Sequence, residues 1–334
     1  MSKLPPKQQR RGGCSLRLSV LALLGVAALG GGAEHYFNLR GNISYYAFRT
    51  STAPLEVKLA HEGWKAVSAV TIAELNHARE LKSDFKGARW SRLSVRREAH
   101  GLLQEVAQSV VEAEVNVLEF APSGLRFETS FRDHFALTTA RERLEAGGYD
   151  FAIVANFRDP RGKPLGLVVH DGREVNRHFP AWTGYFFVKE GKPWFGPKSL
   201  FDETPGMLTE ATQGYPSVMK NHTVFNYVDL APNKYFDGNK ITYRALAGMR
   251  RDGTIVFILS GNGGGMNVAE VTALALKLEV QHATLLDGGR ALQYSLRLAD
   301  GEYHFEAFNT RLDLPWKVVA AQRSPVFIGV RAVR

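Results

Sequence analysis

The stretch Ile255-Val-Phe-Ile-Leu-Ser-Gly-Asn-Gly-Gly-Gly-Met-Asn-Val-Ala-Glu270 predicts a strand, a glycine-rich loop and the start of a helix. Five apolar residues in succession, from Ile255 to Leu259, are typical of a strand. Asn267, with Glu270 three residues later, has the pattern of a capping box, which predicts a helix over 267–278. The glycines therefore lie at the N-terminus of a helix.

The glycine-rich loop is a candidate anion site. Free backbone N–H groups and the positive end of the helix dipole suit a phosphate oxygen. The loop is not a nucleotide P-loop, because it lacks Gly-Lys-Ser/Thr, and Met266 stands where the dinucleotide fingerprint needs a third glycine. A loop that only requires positive φ angles is the alternative. The candidate substrate-binding residues of this loop are Ser260, Gly261, Asn262 and Gly263.

Strands outnumber helices in the rest of the chain. Apolar runs bounded by turn residues predict strands, and the Asp-Gly pair at 252–253 predicts a hairpin. This balance favours an α+β fold with one main domain, in which helices pack on a mixed β-sheet. Strands are predicted at 115–120, 125–131, 151–155, 165–169, 241–249, 254–259, 283–286 and 326–333, and a further helix at 138–146 with Thr138 or Thr139 as its N-cap.

Three further positions are candidates for a site. Asp287 follows a strand and precedes Gly288 and Gly289, which places a carboxylate at the rim of a sheet, although Asp-Gly is also a common turn. Arg244 lies in an apolar strand and needs a partner if its side chain faces inward, where it suits a phosphate or a carboxylate. Asn156 ends a buried strand, and its amide can both donate and accept hydrogen bonds. Asn156, Gly288 and Gly289 are further candidate substrate-binding residues.

Residues 1–33 have the layout of an export signal. A basic segment without acids precedes the apolar run Leu18 to Leu29 and the small residues 30–33. Cleavage after Ala33 is predicted, with an uncleaved membrane anchor as the alternative, although a spanning helix needs about 20 apolar residues. A buried N-terminal helix of a cytosolic protein is the remaining alternative. The body of the protein is therefore expected to be exported, periplasmic or extracellular, with the membrane as a partner of this segment.

The chain is expected to divide into three parts. Residues 1–33 form the signal or anchor, and residues 34–112 form a spacer and a helical accessory region. Within that second part, 34–54 is expected to be irregular, and helices are expected at 70–81 and 98–111. Residues 113–334 form the main domain.

Composition excludes several classes of function. The net charge is +9, but five basic residues precede the first acid, Glu34, so the remaining chain is close to balanced. Basic residues there alternate with acids, which argues against nucleic-acid binding. The only cysteine, Cys14, lies before the apolar run, so disulfides, thiolate catalysis and a lipoprotein anchor are not expected.

Metal and cofactor use cannot be assigned from sequence patterns. The ten histidines show no spacing typical of a metal site, and no nucleophile elbow for a serine hydrolase is present. No cofactor is required by the sequence, and a divalent cation is compatible with it.

Taken in order, short motifs between about 115 and 330 resemble the phosphodiester glycosidase family. The Leu-Asp-Gly-Gly sequence ending at Gly289 is similar to a family motif that continues with Gly-Ser, whereas this chain has Arg290 and Ala291. Family members also often have Asp at the position of Ser260 and Arg at that of Asn262. The other matching pieces are 151–157, 164–172, 211–216, 244–248 and 257–261.

The resemblance implies hydrolysis of a sugar-phosphodiester bond in an envelope or extracellular glycan. It implies that Arg244 and the glycine-rich loop hold the phosphate and that Asp287 is the acid/base or a cation ligand. Glycosidases normally use two carboxyl groups, and Asp171 is the second choice, followed by Glu210. The departures from the motifs keep an alternative open, namely a catalytically inactive glycan-binding or exopolysaccharide-assembly protein on the same fold.

Aromatic residues between 179 and 236 fit sugar stacking under either function, and core packing explains them equally well. The residues concerned are Trp182, Tyr185, Trp194, Tyr215 and Tyr227.

Overall fold

The computed structural model describes residues 13–37, 39–85, 87–225, 236–307 and 322–333. The basic residues before position 13 and Tyr227 lie outside these ranges. Within them, two short 3₁₀ turns cover Asp133–Phe135 and Gly289–Ala291. The helices are α1 (Gly13–Phe37), α2 (Leu39–Phe48), α3 (Ile72–Ala78), α4 (Leu102–Val110), α5 (Ala140–Gly147), α6 (Lys198–Glu203) and α7 (Val268–Lys277).

Strands make up most of the regular structure in the described part of the chain. They are β1 (Leu55–Leu59), β2 (Gly63–Ala66), β3 (Glu80–Phe85), β4 (Ala88–Arg97), β5 (Ala113–Phe120), β6 (Leu125–Phe131), β7 (Phe151–Val154), β8 (Val168–His170), β9 (Arg173–Asn176), β10 (Gly184–Lys189), β11 (Lys192–Pro197), β12 (Leu208–Gly214), β13 (Ser217–Lys220), β14 (Thr223–Val224), β15 (Ala245–Arg250), β16 (Ile255–Ser260), β17 (Val280–Leu285), β18 (Gln293–Leu298), β19 (Gly301–Glu306) and β20 (Val326–Ala332).

The strands form three sheets, and every strand pairing among the described residues is antiparallel. The largest sheet has the order β14-β13-β17-β15-β16-β5-β4-β1-β2, and β3 pairs with β4. The second has the order β11-β10-β12-β8-β9, and the third the order β19-β18-β7-β20-β6. The predicted α+β class, with helices packed on sheets, is confirmed.

Strand β16 separates two hydrophobic cores, because its side chains alternate between the two faces of the largest sheet. Phe257 packs with Phe151 of the third sheet and Phe195 of the second. Val256 and Ile258 belong to the other core, which α7 covers. Full burial of each of these side chains stabilises the fold by about 1.5–3 kcal/mol. The strand predicted at 254–259 is present as β16.

The chain before residue 113 differs from the expectation. Residues 34–54, expected to be irregular, contain α2, and residues 55–112, expected to be helical, contribute β1 to β4 to the largest sheet. The expected helices are present in shorter form as α3 and α4. In β4 the buried Leu93 and Val95 alternate with half-buried polar residues. Because several of those polar residues are arginines, the period of two is easily overlooked in the sequence.

The two N-terminal helices have different surroundings. In α1 the side chains of Leu21, Leu24 and Leu29 are 66%, 61% and 76% exposed. Over the described ranges, no helix has both the length and the apolar character that crossing a bilayer requires. Helix α2 packs on the body of the protein, where the ring of Tyr45 stacks on that of Tyr243 with centroids 5.1 Å apart.

The glycine-rich loop after β16 folds against β5. Gly261 N donates to Glu114 O (2.9 Å), and Glu114 N donates to Asn262 O (3.1 Å). A Cβ atom on Gly264 would lie 1.9 Å from Glu114 O. A backbone oxygen in a sheet cannot move away, so only glycine fits here.

We expect Gly264→Ala to lower the free energy of unfolding by about 1–3 kcal/mol, the usual cost of overpacking. Equilibrium urea denaturation measures this loss. Gly238→Ala is the matched control, because its Cβ would meet only side-chain carbons, at 3.4 Å or more. Equal losses in both variants would contradict a specific backbone clash at Gly264.

Candidate active site

Asp287 lies where the chain passes from the largest sheet to the third sheet. Leu286 N donates to Ala245 O of β15 (2.9 Å), and Asp287 N donates to Ala155 O just after β7 (3.2 Å). Two successive backbone groups are therefore fixed by two different sheets. The side chain of Asp287, which follows the second of these groups, lies at the sheet rim, as its position after a strand predicted.

The two glycines after Asp287 allow this crossing. Gly289 N donates to Tyr243 O (2.7 Å), and a Cβ atom on Gly288 would lie 2.7 Å from the same oxygen. Gly289 also has a φ of +59°, which favours glycine. The Asp-Gly-Gly sequence is thus explained by close approach of the backbone to the strand that leads to Arg244.

The carboxyl group of Asp287 is buried, with the residue 6% exposed. Burial raises its pKa from the ordinary value of 3.8 to about 8, although a Gly288 backbone hydrogen bond and the charge of Arg158 act in the opposite direction. Burial dominates because an ionised carboxylate loses its hydration there. Asp287 is therefore a neutral acid near pH 7 and can donate a proton.

Arg244 is buried at the same site and is held by backbone carbonyls. Its Nη2 donates to Asp237 O and Lys240 O, both at 2.7 Å, and its Nε donates to Met266 O at 3.2 Å. The guanidinium also lies 5.3 Å from the centre of the Phe236 ring. These contacts fix one edge of the guanidinium plane.

The charge of Arg244 is not paired with a carboxylate. Within the described part of the chain, no acid forms an ion pair with its guanidinium, and no acceptor is bonded to its Nη1. Burial lowers the pKa of Arg244 to about 10, with Asp237 acting in the opposite direction. A buried cation without a counterion is stabilised by any anion that reaches it. Arg244 can therefore bind an anion through its remaining edge.

Arg244 and Asp287 line one cavity of about 630 Å³. Phe157, Tyr215 and Phe236 form an aromatic part of its wall, and the rings of Tyr215 and Phe236 meet edge to face at 5.2 Å. The other lining residues are Arg158, Asp159, Pro160, Asp237, Lys240, Thr242, Leu285, Leu286, Gly288, Gly289, Arg290, Ala291 and Gln322.

The sequence analysis missed several polar residues of this cavity. Asp237 and Lys240 precede Arg244 in a turn with no motif, and Arg158 follows the strand that ends at Asn156. In the sequence, only their closeness to Arg244 or Asn156 could have indicated that these residues belong to the site. Arg290 was noted as a departure from the family motif, and it lies at the cavity.

The predicted substrate-binding loop does not line this cavity. Ser260 is fully buried, and its Oγ accepts a hydrogen bond from Arg244 N (2.9 Å). Gly263 lines a different cavity of about 420 Å³ beside α2 and α4. The N-terminus of α7 is occupied by its own capping box, in which the carboxylate of Glu270 also bonds Arg97. Ser260 therefore contacts the backbone of Arg244 and not its guanidinium. The role of the loop in binding stays a prediction.

Asn156 is fully buried beside the cavity rather than in its lining. Its Nδ2 donates to Leu165 O (3.3 Å) and Leu167 O (3.4 Å), and its Oδ1 has no hydrogen-bond partner among the described residues. These bonds fix the loop that carries Phe157 and Arg158. The amide therefore positions part of the cavity wall.

Asp171 lies outside the cavity, on the β8–β9 turn. It has a φ of +48°, and its side chain is 69% exposed. The carboxylate of buried Glu210 accepts hydrogen bonds from Asp171 N (3.2 Å) and Thr129 N (2.8 Å) and lies 3.1 Å from His170 Nδ1. Donor atoms of His170, Asp171 and Glu210 lie within 4.8 Å of one another, so this group can hold a cation. Hydrogen bonding of the turn explains the same arrangement.

The other predicted aromatic residues are divided between core and site. Trp182 is 4% exposed and packs behind the cavity wall against Phe157, with ring centroids 4.9 Å apart. Tyr185 and Trp194 pack in the cores of the second sheet. Only Tyr215 of the predicted set reaches the cavity in the described part of the chain.

Comparison with known proteins agrees with the motif pattern. The family model described as phosphodiester glycosidase matches residues 147–318, about half of the chain. Among the curated proteins no sequence matches this chain.

Two solved structures are similar in fold. The zebrafish N-acetylglucosamine-1-phosphodiester α-N-acetylglucosaminidase catalytic domain, auto-inhibited by its pro-peptide, has a TM-score of 0.56 at 13% identity, covering 77% of this chain and 89% of that one. A hypothetical protein from Synechocystis has a TM-score of 0.52 at 12% identity, covering 84% of this chain and 68% of that one. At these identities the likeness shows the fold alone.

We expect the free energy of unfolding to depend on pH because the buried Asp287 carboxyl is protonated in the folded state. The folded state keeps the proton to about pH 8, whereas the unfolded chain loses it near pH 4. The stabilisation from the neutral form is therefore complete below pH 4 and is lost as pH rises towards 8, by about 1.4 kcal/mol per pH unit. The Asp287→Asn variant lacks this pH-dependent stabilisation. Its free energy of unfolding should therefore increase relative to that of the wild type as the pH rises from 5 to 7.5.

Equilibrium unfolding at several pH values measures this difference. Asp300→Asn, at an exposed position, is the matched control and should run parallel to the wild type. Parallel profiles for Asp287→Asn would show instead that Asp287 ionises at an ordinary pH.

Proposed function

Because this chain belongs to the phosphodiester glycosidase family, we propose that it hydrolyses the bond between a sugar and a phosphodiester group. The observation that carries the proposal is that one cavity contains a buried cation, Arg244, without an ion-pair partner among the described residues, and a neutral buried acid, Asp287. A phosphodiester needs a cation to bind it, and its sugar bond needs an acid to assist cleavage.

Arg244 binds the phosphate in this proposal. Three carbonyls fix its Nε and Nη2, which leaves Nη1 to donate to a phosphate oxygen. Charge-assisted hydrogen bonds from a fixed guanidinium are strong and directional. The anion would also offset the cost of burying the guanidinium charge.

Asp287 is the general acid. It gives its proton to the bridging oxygen as the bond from this oxygen to the anomeric carbon breaks, so the phosphate leaves as a monoester. Burial keeps the carboxyl protonated at neutral pH, which is the state that a general acid needs. An anion bound at Arg244 would favour this neutral form further.

Asp237 is the carboxylate best placed to act as the base. It lines the cavity, and its backbone oxygen holds Arg244. Its carboxylate accepts a hydrogen bond from Asn239 N (3.0 Å), which leaves acceptor positions for a water molecule. As the base it takes a proton from the water whose oxygen bonds to the anomeric carbon, so the sugar is released with a hydroxyl group. In this role it replaces Asp171, which lies outside the cavity.

The aromatic wall binds the sugar ring. Phe157, Tyr215 and Phe236 line the cavity, and Trp182 packs against Phe157 and Tyr215. Aromatic rings pack well against the apolar faces of sugars, while the hydroxyl groups remain free to hydrogen-bond. The aromatic part of the cavity is therefore suited to the glycosyl group.

The proposed place of action is outside the cytoplasm, on an envelope or extracellular glycan. The support is the basic segment followed by an apolar run at 18–29, together with the solvent exposure of leucines in α1. Such a surface is unfavourable in water and suits a segment that is removed or inserted during export.

We expect the purified full-length protein to release sugar from sugar-1-phosphodiesters, and Asp287→Asn to lower kcat/KM by about 10²–10⁴-fold, as for loss of a general acid. In the wild type, kcat/KM should fall as pH rises above about 8, because the acid then loses its proton. Release of sugar and phosphomonoester across the pH range measures both effects.

Two further variants test the choice of base. Asp237→Asn should be as impaired as Asp287→Asn, whereas Asp171→Asn should keep wild-type activity. The reverse pattern would reject Asp237 as the base. Tight binding of the diesters without any turnover would instead favour the glycan-binding or polysaccharide-assembly function.

We expect residues 1–54 to direct a fused alkaline phosphatase out of the cytoplasm, where this reporter becomes active. Leu21→Arg with Leu24→Arg should abolish the reporter activity, because charges interrupt the apolar run. Equal activity with and without the two arginines would contradict export through this segment.

A further inference from the structure

Helix α4 presents an apolar row to solvent. The row consists of Leu102, Leu103, Val106 and Val110, whose side chains are between 39% and 76% exposed. At the spacing of an α-helix these four positions lie within an arc of about 100°. A helix on the surface of a globular protein usually turns such an arc towards the core. In α4 the apolar row faces away from the core.

The opposite side of α4 fixes the helix on the body of the protein. Ala107 is fully buried and shares a small apolar cluster with Ala47 of α2. Gln104 Nε2 donates to Ala47 O (3.1 Å), and Gln108 Nε2 donates to Arg97 O at the end of β4. The orientation of α4 is therefore set by contacts on its inner side, and the exposed row is a property of the folded protein.

The apolar surface continues from α4 towards the N-terminal apolar run. Ile43 and Tyr46 of α2 are exposed and lie three residues apart, on one side of that helix. Helix α2 begins at Leu39, directly after the end of α1, whose leucines are exposed as well. Helices α1, α2 and α4 therefore all present apolar side chains to solvent. An extended apolar surface of this kind is typical of a protein-binding or membrane-binding face.

The residues that border the row are of the types found where a membrane meets water. The guanidinium carbon of Arg49 lies 5.2 Å from the centre of the Tyr46 ring. At the C-terminal end of the row, Val110 lines the 420 Å³ cavity together with Trp64, and the guanidinium carbon of Arg96 lies 4.6 Å from the centre of the Trp64 ring. Tryptophan, tyrosine and long basic side chains are enriched at the level of the lipid headgroups. This border favours a bilayer over a second protein.

The charges near the row favour an anionic bilayer. Lys58 Nζ lies 6.0 Å from the centre of the Trp64 ring and forms no ion pair with an acid of the described residues. The one acid of α4, Glu105, lies to the side of the apolar row. The chain before α1 contains four basic residues and no acid, namely Lys3, Lys7, Arg10 and Arg11. Basic side chains beside an apolar face strengthen binding to anionic lipids.

We propose that the apolar row of α4 is a membrane-docking surface, which holds the protein on an anionic phospholipid bilayer with α4 parallel to the membrane plane. Such a helix needs only one apolar side, which enters the headgroup region by about 5–10 Å. The inference goes beyond the proposed function, because α4 does not line the cavity of Arg244 and Asp287. Since α4 is remote from residues 1–33, docking would persist after cleavage of the leader.

Binding of the full-length protein to vesicles tests the proposal. Sedimentation measures the partition onto vesicles of phosphatidylglycerol and phosphatidylethanolamine. The triple variant Leu102→Gln, Leu103→Gln and Val106→Gln should lower the partition coefficient by about tenfold or more, because its row no longer gains from leaving water. All three positions are exposed, so the variant should keep the wild-type urea midpoint.

A matched control carries the same three changes at exposed apolar residues of other elements. Leu81→Gln, Val175→Gln and Met207→Gln should leave the partition coefficient at the wild-type value. Equal loss of binding in the two triple variants would contradict a specific role of α4. Equal binding of the wild type to neutral phosphatidylcholine vesicles would overturn the preference for an anionic surface.

A spin label on α4 separates its docking from any binding through α1. The only cysteine is Cys14, so a Cys14→Ser background allows one nitroxide to be placed at Leu103→Cys or, as the control, at Leu81→Cys. With vesicles, the label at 103 should become more accessible to oxygen and less accessible to a water-soluble nickel complex. The label at 81 should show no change.

Three results would overturn the proposal. The first is a protein that does not bind the vesicles, and the second is a label at 103 that remains in water while the protein is bound. The third is spin–spin broadening at 103 without vesicles, which would show that a second copy of the chain covers α4 instead. None of these results depends on hydrolysis of a diester, so the proposed function is tested separately.

Discussion

The crossing at Leu286 and Asp287 is the constraint on which the site depends. One backbone N–H is bonded to β15 and the next to the residue after β7, so the largest and third sheets are joined by consecutive peptide units. The backbone of Asp287 is fixed at this junction, and its carboxyl is buried there. Its burial, and the pKa that burial raises, are therefore consequences of how the sheets meet rather than of a local pocket alone.

Burial in the same cavity has opposite effects on the charges of Arg244 and Asp287. The guanidinium keeps a charge that burial makes costly, and the carboxyl gives up its charge for the same reason. An anionic ligand would stabilise the charge of the Arg244 guanidinium and would further favour the neutral form of the Asp287 carboxyl. In the proposed reaction, binding and acid function would share one low-dielectric environment, in which backbone carbonyls hold the arginine.

The sequence allowed the α+β class, the strand at 254–259, the capping box at Asn267 and the presence of Arg244 and Asp287 in one site to be predicted, since each depends on local pattern or on motif order. The anion role of the glycine-rich loop could not be tested by local reasoning. The loop's neighbours, β5 and α2, are remote in sequence, and the close approach of Glu114 O to Gly264 offers a packing reason for the glycines. Asp237 and Arg158 were missed because their significance arises only where three segments meet.

Helix α2 is part of the folded body, although it begins only a few residues after the apolar N-terminal run. Tyr45 stacks on Tyr243, the residue that precedes Arg244 in the chain and whose carbonyl accepts the hydrogen bond from Gly289. A mature chain beginning beyond this helix would lack one side of the packing that supports the strand leading to Arg244. Proteolytic trimming past Phe48 would therefore alter the geometry of the arginine.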